Sequence, residues 1–375
     1  MTATRLTHSE KVLLQLVAKA INEDYSLSLD ALKDVNWEEV LNISVRQSVV
    51  GVAYDAIESL PVELRFERPT LLRWIGYVAR MEGAYDSYRE TVFSLADFYA
   101  ANGYKMMLLK GYGISSCYPI PERRPTGDID IFIGREGIKS PFGQKDVWKE
   151  ADKLLQDKLG IKVDNTHHHH SVFVYGRYSV ENHFDFINVY DHKSSRGFEN
   201  LFKQMATDGY RVHPECPNLY LPSDDFNALF LLKHCSGHFA STEMNLRQVL
   251  DWLLFIRTHN DTIDWERLYA SLKEFGLVRF ANILSAIGVK YLGMSPNEFY
   301  AIDEDDALIH RVLKDILSPE FKEHENGTLL SGLWIKPRRF WNNRWKHRLC
   351  YCDSFISGFI WSTYAKLLKP RHFIV

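Results

Sequence analysis

No apolar stretch in this 375-residue chain reaches the roughly 18–20 residues that a bilayer-spanning helix needs, so the sequence predicts no membrane span. An excess of one charge is also missing. The formal net charge is −3, which argues against a general nucleic-acid coat. Cysteine is sparse and irregular: Cys117, Cys216, Cys235, Cys350 and Cys352 are odd in number and scattered. With a polar N-terminus that carries no secretory signal, this pattern points to a reducing compartment, with the cytoplasm as the default. There are no internal repeats, and the only low-complexity tract is a run of four histidines. What remains has the composition of a soluble globular protein, long enough for two or three packed units.

Against that ordinary background, Gly127-Asp128-Ile129-Asp130-Ile131-Phe132-Ile133 stands out. The run is apolar and β-branched and predicts a strand. Strand side chains alternate, so Asp128 and Asp130 share one face while Ile129, Ile131 and Ile133 share the other. Two adjacent carboxylates repel unless positive charge lies between them. A divalent cation such as Mg²⁺ meets that need, because it prefers hard oxygen ligands and bridges to substrate phosphates. Gly127 lets a ligand approach the backbone closely. The alternative, a solvated edge strand with two exposed aspartates, fits poorly with so apolar a run.

Upstream, Met106-Met107-Leu108-Leu109 reads as a buried strand ending at Lys110-Gly111-Tyr112-Gly113, with a short helix expected over Ile114–Tyr118. Backbone N–H groups at such a turn suit phosphate. Lys110 and Arg124 would bracket the phosphate with charge.

The form Leu-Lys-Gly, then Tyr118-Pro119, then Arg124-Pro125-Thr126-Gly127-Asp128-Ile129-Asp130, resembles a bacterial family known as uncharacterised nucleotidyltransferases, within the superfamily that shares the DNA polymerase β-like fold. Val180-Glu181-Asn182-His183-Phe184 and a helical tail with His234, His238, Leu246-Arg247 and Asp251 extend the resemblance. It implies an α+β fold: a polymerase β-like core, with a small mixed sheet and helices, flanked by N- and C-terminal helical domains. The expected segments are a helical region over 1–103, the catalytic core over 104–222 and a helical domain over 223–375.

The resemblance also implies a third carboxylate. Over Ser179–Tyr190, strict alternation puts Glu181, His183 and Asp185 on one face. The family's Glu-x-His favours Glu181, and Asp185 is the alternative metal ligand. His183 either orients a phosphate or fills space under a loop. The expected nucleotide-binding set is Lys110, Gly111, Tyr112, Gly113, Arg124 and Gly127. Thr166 is followed by His167-His168-His169-His170, which lacks a nearby cysteine. Zinc sites usually draw on separated segments, and adjacent side chains on an extended chain alternate faces, so only two of the four can converge. The run reads as a loop or strand start with one histidine facing the nucleotide, and a zinc hydrolase is not expected here. His234 and His238, spaced i,i+4, are either half-buried or contact substrate, and the resemblance favours contact. Arg247 and Asp251 share that spacing and read as a helix-surface ion pair.

Elsewhere, Ser9 is the expected cap of a first helix, and Asp34–Ile57 carries a second apolar stripe. Leu71–Tyr99 reads as a long aromatic-rich helix or a pair of helices, ending at Asn102-Gly103. Lys145–Leu159 is a further helix, Ser223 or Asp224 caps the next, and Asp264-Trp265 opens another. The stretch Lys336–Arg348 interleaves cations with aromatics. It suits an acidic substrate, a single strand or, with Phe355–Leu368, a membrane surface. The favoured reading is an ordinary helix that buries Trp341 and Trp345.

The expected function is Mg²⁺-dependent (or Mn²⁺-dependent) transfer of a nucleoside monophosphate from a triphosphate such as ATP to an acceptor hydroxyl or phosphate, releasing pyrophosphate. One or two ions would be held by Asp128, Asp130 and Glu181. The acceptor is expected to be a small molecule rather than nucleic acid. Two rivals are a nucleotide-binding protein that has lost transfer and a transferase acting on a protein or tRNA.

Overall fold

The computed structural model describes residues 5–60, 67–190, 192–241, 243–320, 338, 340–358 and 360–361. In chain order the elements are α1 (His8–Ile21), α2 (Trp37–Arg46), α3 (Val50–Glu58), α4 (Arg68–Ala100), β1 (Tyr104–Leu108), β2 (Ile129–Arg135), α5 (Val147–Leu159), β3 (Val163–Asp164), β4 (His170–Tyr175) and β5 (Tyr178–His183). They continue with α6 (Ser195–Asp208), β6 (Tyr210–His213), β7 (Cys216–Pro222), α7 (Asp224–Ser241), α8 (Leu246–His259), α9 (Trp265–Glu274), α10 (Val278–Leu292) and α11 (Asp306–Leu317). This is the α+β architecture expected, a mixed sheet flanked by helical regions. No helix among the described residues is long and apolar enough to cross a membrane.

The described residues divide into two compact units. One draws on Met1–Gly83, Ser115–Pro125 and Leu231–Tyr351, the other on Ala84–Ile114, Thr126–Phe230 and Cys352–Val375. These divisions do not follow the expected segments. Helix α4 runs through Gly83 and Ala84 without a break, so no linker marks the change in the sequence.

In the sheet-bearing unit seven strands lie in the order β3-β4-β5-β2-β1-β7-β6. β2 pairs antiparallel with β1 and parallel with β5, and β1 pairs parallel with β7. A strand paired on both sides contributes both faces to packing, and β2 is buried from Ile129 to Gly134. Ile129, Ile131 and Ile133 pack with Tyr88, Val92, Leu95 and Tyr99 of α4 and with Val147, Ala151 and Leu155 of α5. On the opposite face Phe132 stacks on Phe186, with ring centroids 4.5 Å apart, and Phe186 meets Phe202 and Phe226. Each large apolar side chain buried this way contributes about 1.5–3 kcal/mol. Asp130 shares the face of Phe132 and is 3% exposed.

The helical unit corrects several expectations. Thr7, not Ser9, caps α1, in a reciprocal capping box with Glu10; the Ser9 hydroxyl instead donates to Glu39 Oε2 at 2.6 Å. The stripe over Asp34–Ile57 forms two helices, because Ser48 turns the chain with φ +55°. Gln47 at the break donates to the Ile316 carbonyl at 2.9 Å and accepts from the Leu246 N–H at 2.8 Å. The long helix is Arg68–Ala100, and Gly103 beyond it has φ +79°. Ser223 receives the Phe226 N–H before α7, and Asp264 caps α9.

Near the C-terminus, Lys336, Pro337 and Arg339 lie outside the described residues, as do 359 and 362–368 of the Phe355–Leu368 segment. The expected burial of both tryptophans fails: Trp341 is 63% exposed. A helix begins afresh at Arg344 after Asn343, so Trp341 and Trp345 do not share a stripe. The buried cation here is Lys346, whose Nζ lies 2.5 Å from Asp315 Oδ2.

Candidate active site

The parallel pairing of β2 with β5 decides which carboxylates meet. In its register Asp130 stands opposite Glu181, and Phe132 opposite His183, so all four side chains project to one face. Oxygen atoms of Asp130 and Glu181 and a ring nitrogen of His183 fall within 4.8 Å of one another. Asp128 immediately precedes β2. Its carbonyl accepts a hydrogen bond from Tyr88 Oη at 2.9 Å, which pins the strand entrance to α4. Leu109 N–H donates to the Asp130 carbonyl at 3.0 Å and brings the end of β1 alongside.

Positive charge already sits among these carboxylates. Lys110 Nζ is 3.1 Å from Asp130 Oδ1, and His183 Nε2 is also 3.1 Å from it. Glu181 Oε2 lies 3.5 Å from both His183 Nε2 and His170 Nδ1. Burial works to raise the pKa of Asp130, but Lys110 and His183 overcome it and hold the carboxyl well below the usual range. Burial likewise opposes charge on His183, yet the hydrogen bonds to Asp130 and Glu181 push its pKa up to about 9. Asp128 is raised, first by partial desolvation and then by repulsion from Glu181 and Asp130. Three neighbouring carboxylates that repel one another, with Lys110 and His183 beside Asp130, are a donor set suited to a hard divalent cation.

Asp185 is not brought into this group. β5 stops at His183, strict alternation ends with it, and the Asp185 carboxylate bonds Lys203 of α6 instead. Lys203 Nζ also lies 3.5 Å from Glu199 Oε1. Glu199 is buried and accepts the N–H groups of Phe186 and Ile187 at 2.9–3.1 Å, fixing the chain just after the strand. Neither α6 residue carries a motif that would single it out.

The turn after β1 is a 3-10 helix over Gly111–Cys117, starting earlier than the expected Ile114. Gly111 has φ +64°, a conformation that favours glycine, and a Cβ there would stand 3.4 Å from Tyr88 Oη. Nothing lies within 4 Å of a Cβ built on Gly127, so the backbone before the aspartates faces open space. Tyr112 sends its ring into the core, stacked on His213 with centroids 5.6 Å apart, so only its backbone remains for a ligand.

Arg124 takes a different position from the one expected. Its Nε and Nη2 donate to Asp251 Oδ1 and Oδ2 at 2.8 and 3.0 Å, both groups buried within the helical unit. Tyr118 Oη donates to the same carboxylate at 2.6 Å and Arg247 Nη1 at 3.0 Å. The Arg247–Asp251 pair is therefore part of a buried four-residue network, not a helix-surface pair, and Asp251 is only 6% exposed. His234 and His238 lie on α7 in the helical unit with ring centroids 4.5 Å apart, each partly buried.

The histidine run delivers two members to the sheet. His169 and His170 join His183 in a second group whose ligand atoms lie within 4.8 Å. Burial lowers His169 to about 2 and His170 to about 4, so both imidazoles are neutral. Alternation would set adjacent residues of one strand on opposite faces; His169 meets His170 because it lies just before β4, outside the alternating strand, and the third ring comes from β5.

A model of the family described as "uncharacterised nucleotidyltransferase" matches residues 33–292, which include the β1–β2 turn, both aspartates, Glu181, His183 and α7–α8. No curated protein and no solved structure matches the chain. With most of its length matched, and with the paired-aspartate strand and the Glu-x-His strand side by side, the chain belongs to this nucleotidyltransferase family.

Proposed function

We propose that the protein transfers a nucleoside monophosphate from a nucleoside triphosphate to an acceptor hydroxyl or phosphate, with Asp128, Asp130 and Glu181 as its catalytic carboxylates. The observation that carries this reading is the Asp130–Glu181 register, which sets two carboxylates side by side with Asp128 two residues away. Bound Mg²⁺, or Mn²⁺, would neutralise the triphosphate and the charge developing on the attacking and leaving oxygens. The chain's own residues supply position and charge. Lys110, one residue before the Gly111 turn, has its cation beside Asp130 and within reach of a phosphate that displaces it. The turn backbone at Gly111–Gly113 and the open space before Gly127 offer N–H groups and room for the phosphates. The acceptor oxygen attacks the α-phosphorus, the bond to the bridging oxygen breaks, and pyrophosphate departs. The acceptor proton passes to half-buried Glu181 or to solvent.

Lys110 and His183 satisfy Asp130 without any metal, which supports a second reading: a nucleotide-binding protein that no longer transfers. Thermal melting of wild type and Asp130→Ala against each nucleoside triphosphate with Mg²⁺ tests the site. A ligand at about 100 times its Kd adds roughly 2.7 kcal/mol to the folded state. A Mg²⁺-dependent shift absent from the variant supports the site, and pyrophosphate release on adding acceptor pools separates transfer from binding alone. No shift with any nucleotide overturns both readings.

A further inference from the structure

Beside the carboxylates lies a feature that nucleotidyl transfer does not use: three imidazoles, two from strands β4 and β5 and one from the residue before β4. His170 opens β4 and stands directly opposite His183 in the antiparallel register. His169, one residue earlier, is tied to the same place because its carbonyl accepts the N–H groups of both Phe184 and Asp185, at 3.0 and 3.1 Å. The ring centroids are 4.4 Å apart for His169 and His170, 5.2 Å for His170 and His183, and 5.5 Å for His169 and His183.

The nitrogens of His169 and His170 are short of partners. Both ring nitrogens of His170 and Nδ1 of His169 are buried without a hydrogen bond, a costly arrangement for polar atoms. His170 Nδ1 has only Glu181 Oε2 nearby, at 3.5 Å, beyond good hydrogen-bond geometry. His183 is oriented as metal-ligating histidines are: Nδ1 lies 3.2 Å from the Asp185 carbonyl, so a proton there leaves Nε2 facing the cluster.

We propose that His169, His170 and His183 bind a transition-metal ion of the Zn²⁺ class, at a site that adjoins the carboxylate centre and shares His183 with it. Imidazole selects Zn²⁺, Ni²⁺, Cu²⁺ or Fe²⁺, whereas Mg²⁺ prefers oxygen. Tetrahedral Zn–N bonds of about 2.0–2.1 Å set ligand nitrogens roughly 3.4 Å apart, so nitrogens already within 4.8 Å of one another need only rotamer-scale adjustment. Glu181 Oε2, 3.5 Å from both His170 Nδ1 and His183 Nε2, is at hand for a fourth position. Ion capture exchanges the His183–Asp130 contact for a coordinate bond and releases the His183 proton. The cation site and the carboxylate centre are thereby linked through His183 and Glu181.

The test is metal retention by the purified full chain, stripped with chelator and dialysed against Zn²⁺, then against Co²⁺ for its visible spectrum. Wild type should keep one Zn²⁺ per chain and give the intense visible bands of four-coordinate Co²⁺. His170→Ala should lose both signals, while Asp128→Asn keeps them. His169→Gln, at a half-buried position, is the second variant should His170→Ala fail to fold, and it should lose retention as well. Wild type that retains no ion overturns the proposal. So does retention that survives both histidine changes, or that survives them and disappears in Asp130→Ala, which would assign the ion to the carboxylates.

Discussion

Lys110 Nζ and Asp130 Oδ1 lie 3.1 Å apart, joining the turn after β1 to the start of the buried carboxylate strand. The lysine is 23% exposed at its side chain and the aspartate 3%, so the pair is protected from solvent on one side only. A charge-assisted hydrogen bond of this kind contributes about 1.5–3 kcal/mol. If Lys110 moves from Asp130 to a nucleotide phosphate on binding, Lys110→Met should weaken nucleotide affinity by about ten- to a hundredfold. Calorimetric titration with triphosphate and Mg²⁺ measures it, and an unchanged affinity would remove Lys110 from the phosphate site.

Asp128→Asn and Glu181→Gln should each reduce pyrophosphate release by at least about 10²–10³-fold, with melting temperatures near that of wild type. Asp185→Asn should cost far less, because its carboxylate is committed to Lys203. An Asp185 variant as damaged as the Glu181 variant would return Asp185 to the catalytic set.

Asp251→Ala should be among the most destabilising single changes in the helical unit. It leaves Arg124 buried without its fork partner and Tyr118 without its acceptor. Removing one partner of a buried pair costs roughly 3–5 kcal/mol. Urea unfolding measures the loss; a change below about 1 kcal/mol would mean the network is solvated in solution.

Glu199 supplies a pH dependence. Burial, then repulsion from Asp185, raises its pKa from 4.5 to about 8. Between those values the folded state holds a proton that the unfolded chain has released. Its contribution is therefore fully present below pH 4.5 and is lost as pH rises through about 8. Glu199→Gln, which cannot ionise, should flatten the fall of melting temperature across this window. A variant profile parallel to wild type would show that Glu199 is ionised throughout, with Lys203 as its counter-ion.

Much of the site was legible in the chain because it is local. Alternation along Gly127–Ile133 separates the aspartates from the isoleucines, and in β2 the isoleucines join the core while Asp130 stands opposite Glu181. The same alternation failed at Asp185, where the strand had already ended. It failed again between Trp341 and Trp345, where a new helix starts at Arg344. Periodicity carries no information about where an element stops when the stopping is decided by contacts elsewhere, such as Glu199 capturing the Phe186 and Ile187 N–H groups.

By itself, then, the sequence determined the family, the α+β class, the strand that carries Asp130 with Asp128 at its entrance, and the position of Glu181, since each is written in short-range spacing. Only the tertiary structure decided that Arg124 is held by Asp251, 127 residues away, that Lys110 answers the charge of Asp130, and that two of four consecutive histidines meet a third from the neighbouring strand. The reason is physical: a buried charge or an unpartnered imidazole must find its complement in space, and strand register and helix packing, not distance along the chain, decide which residue provides it.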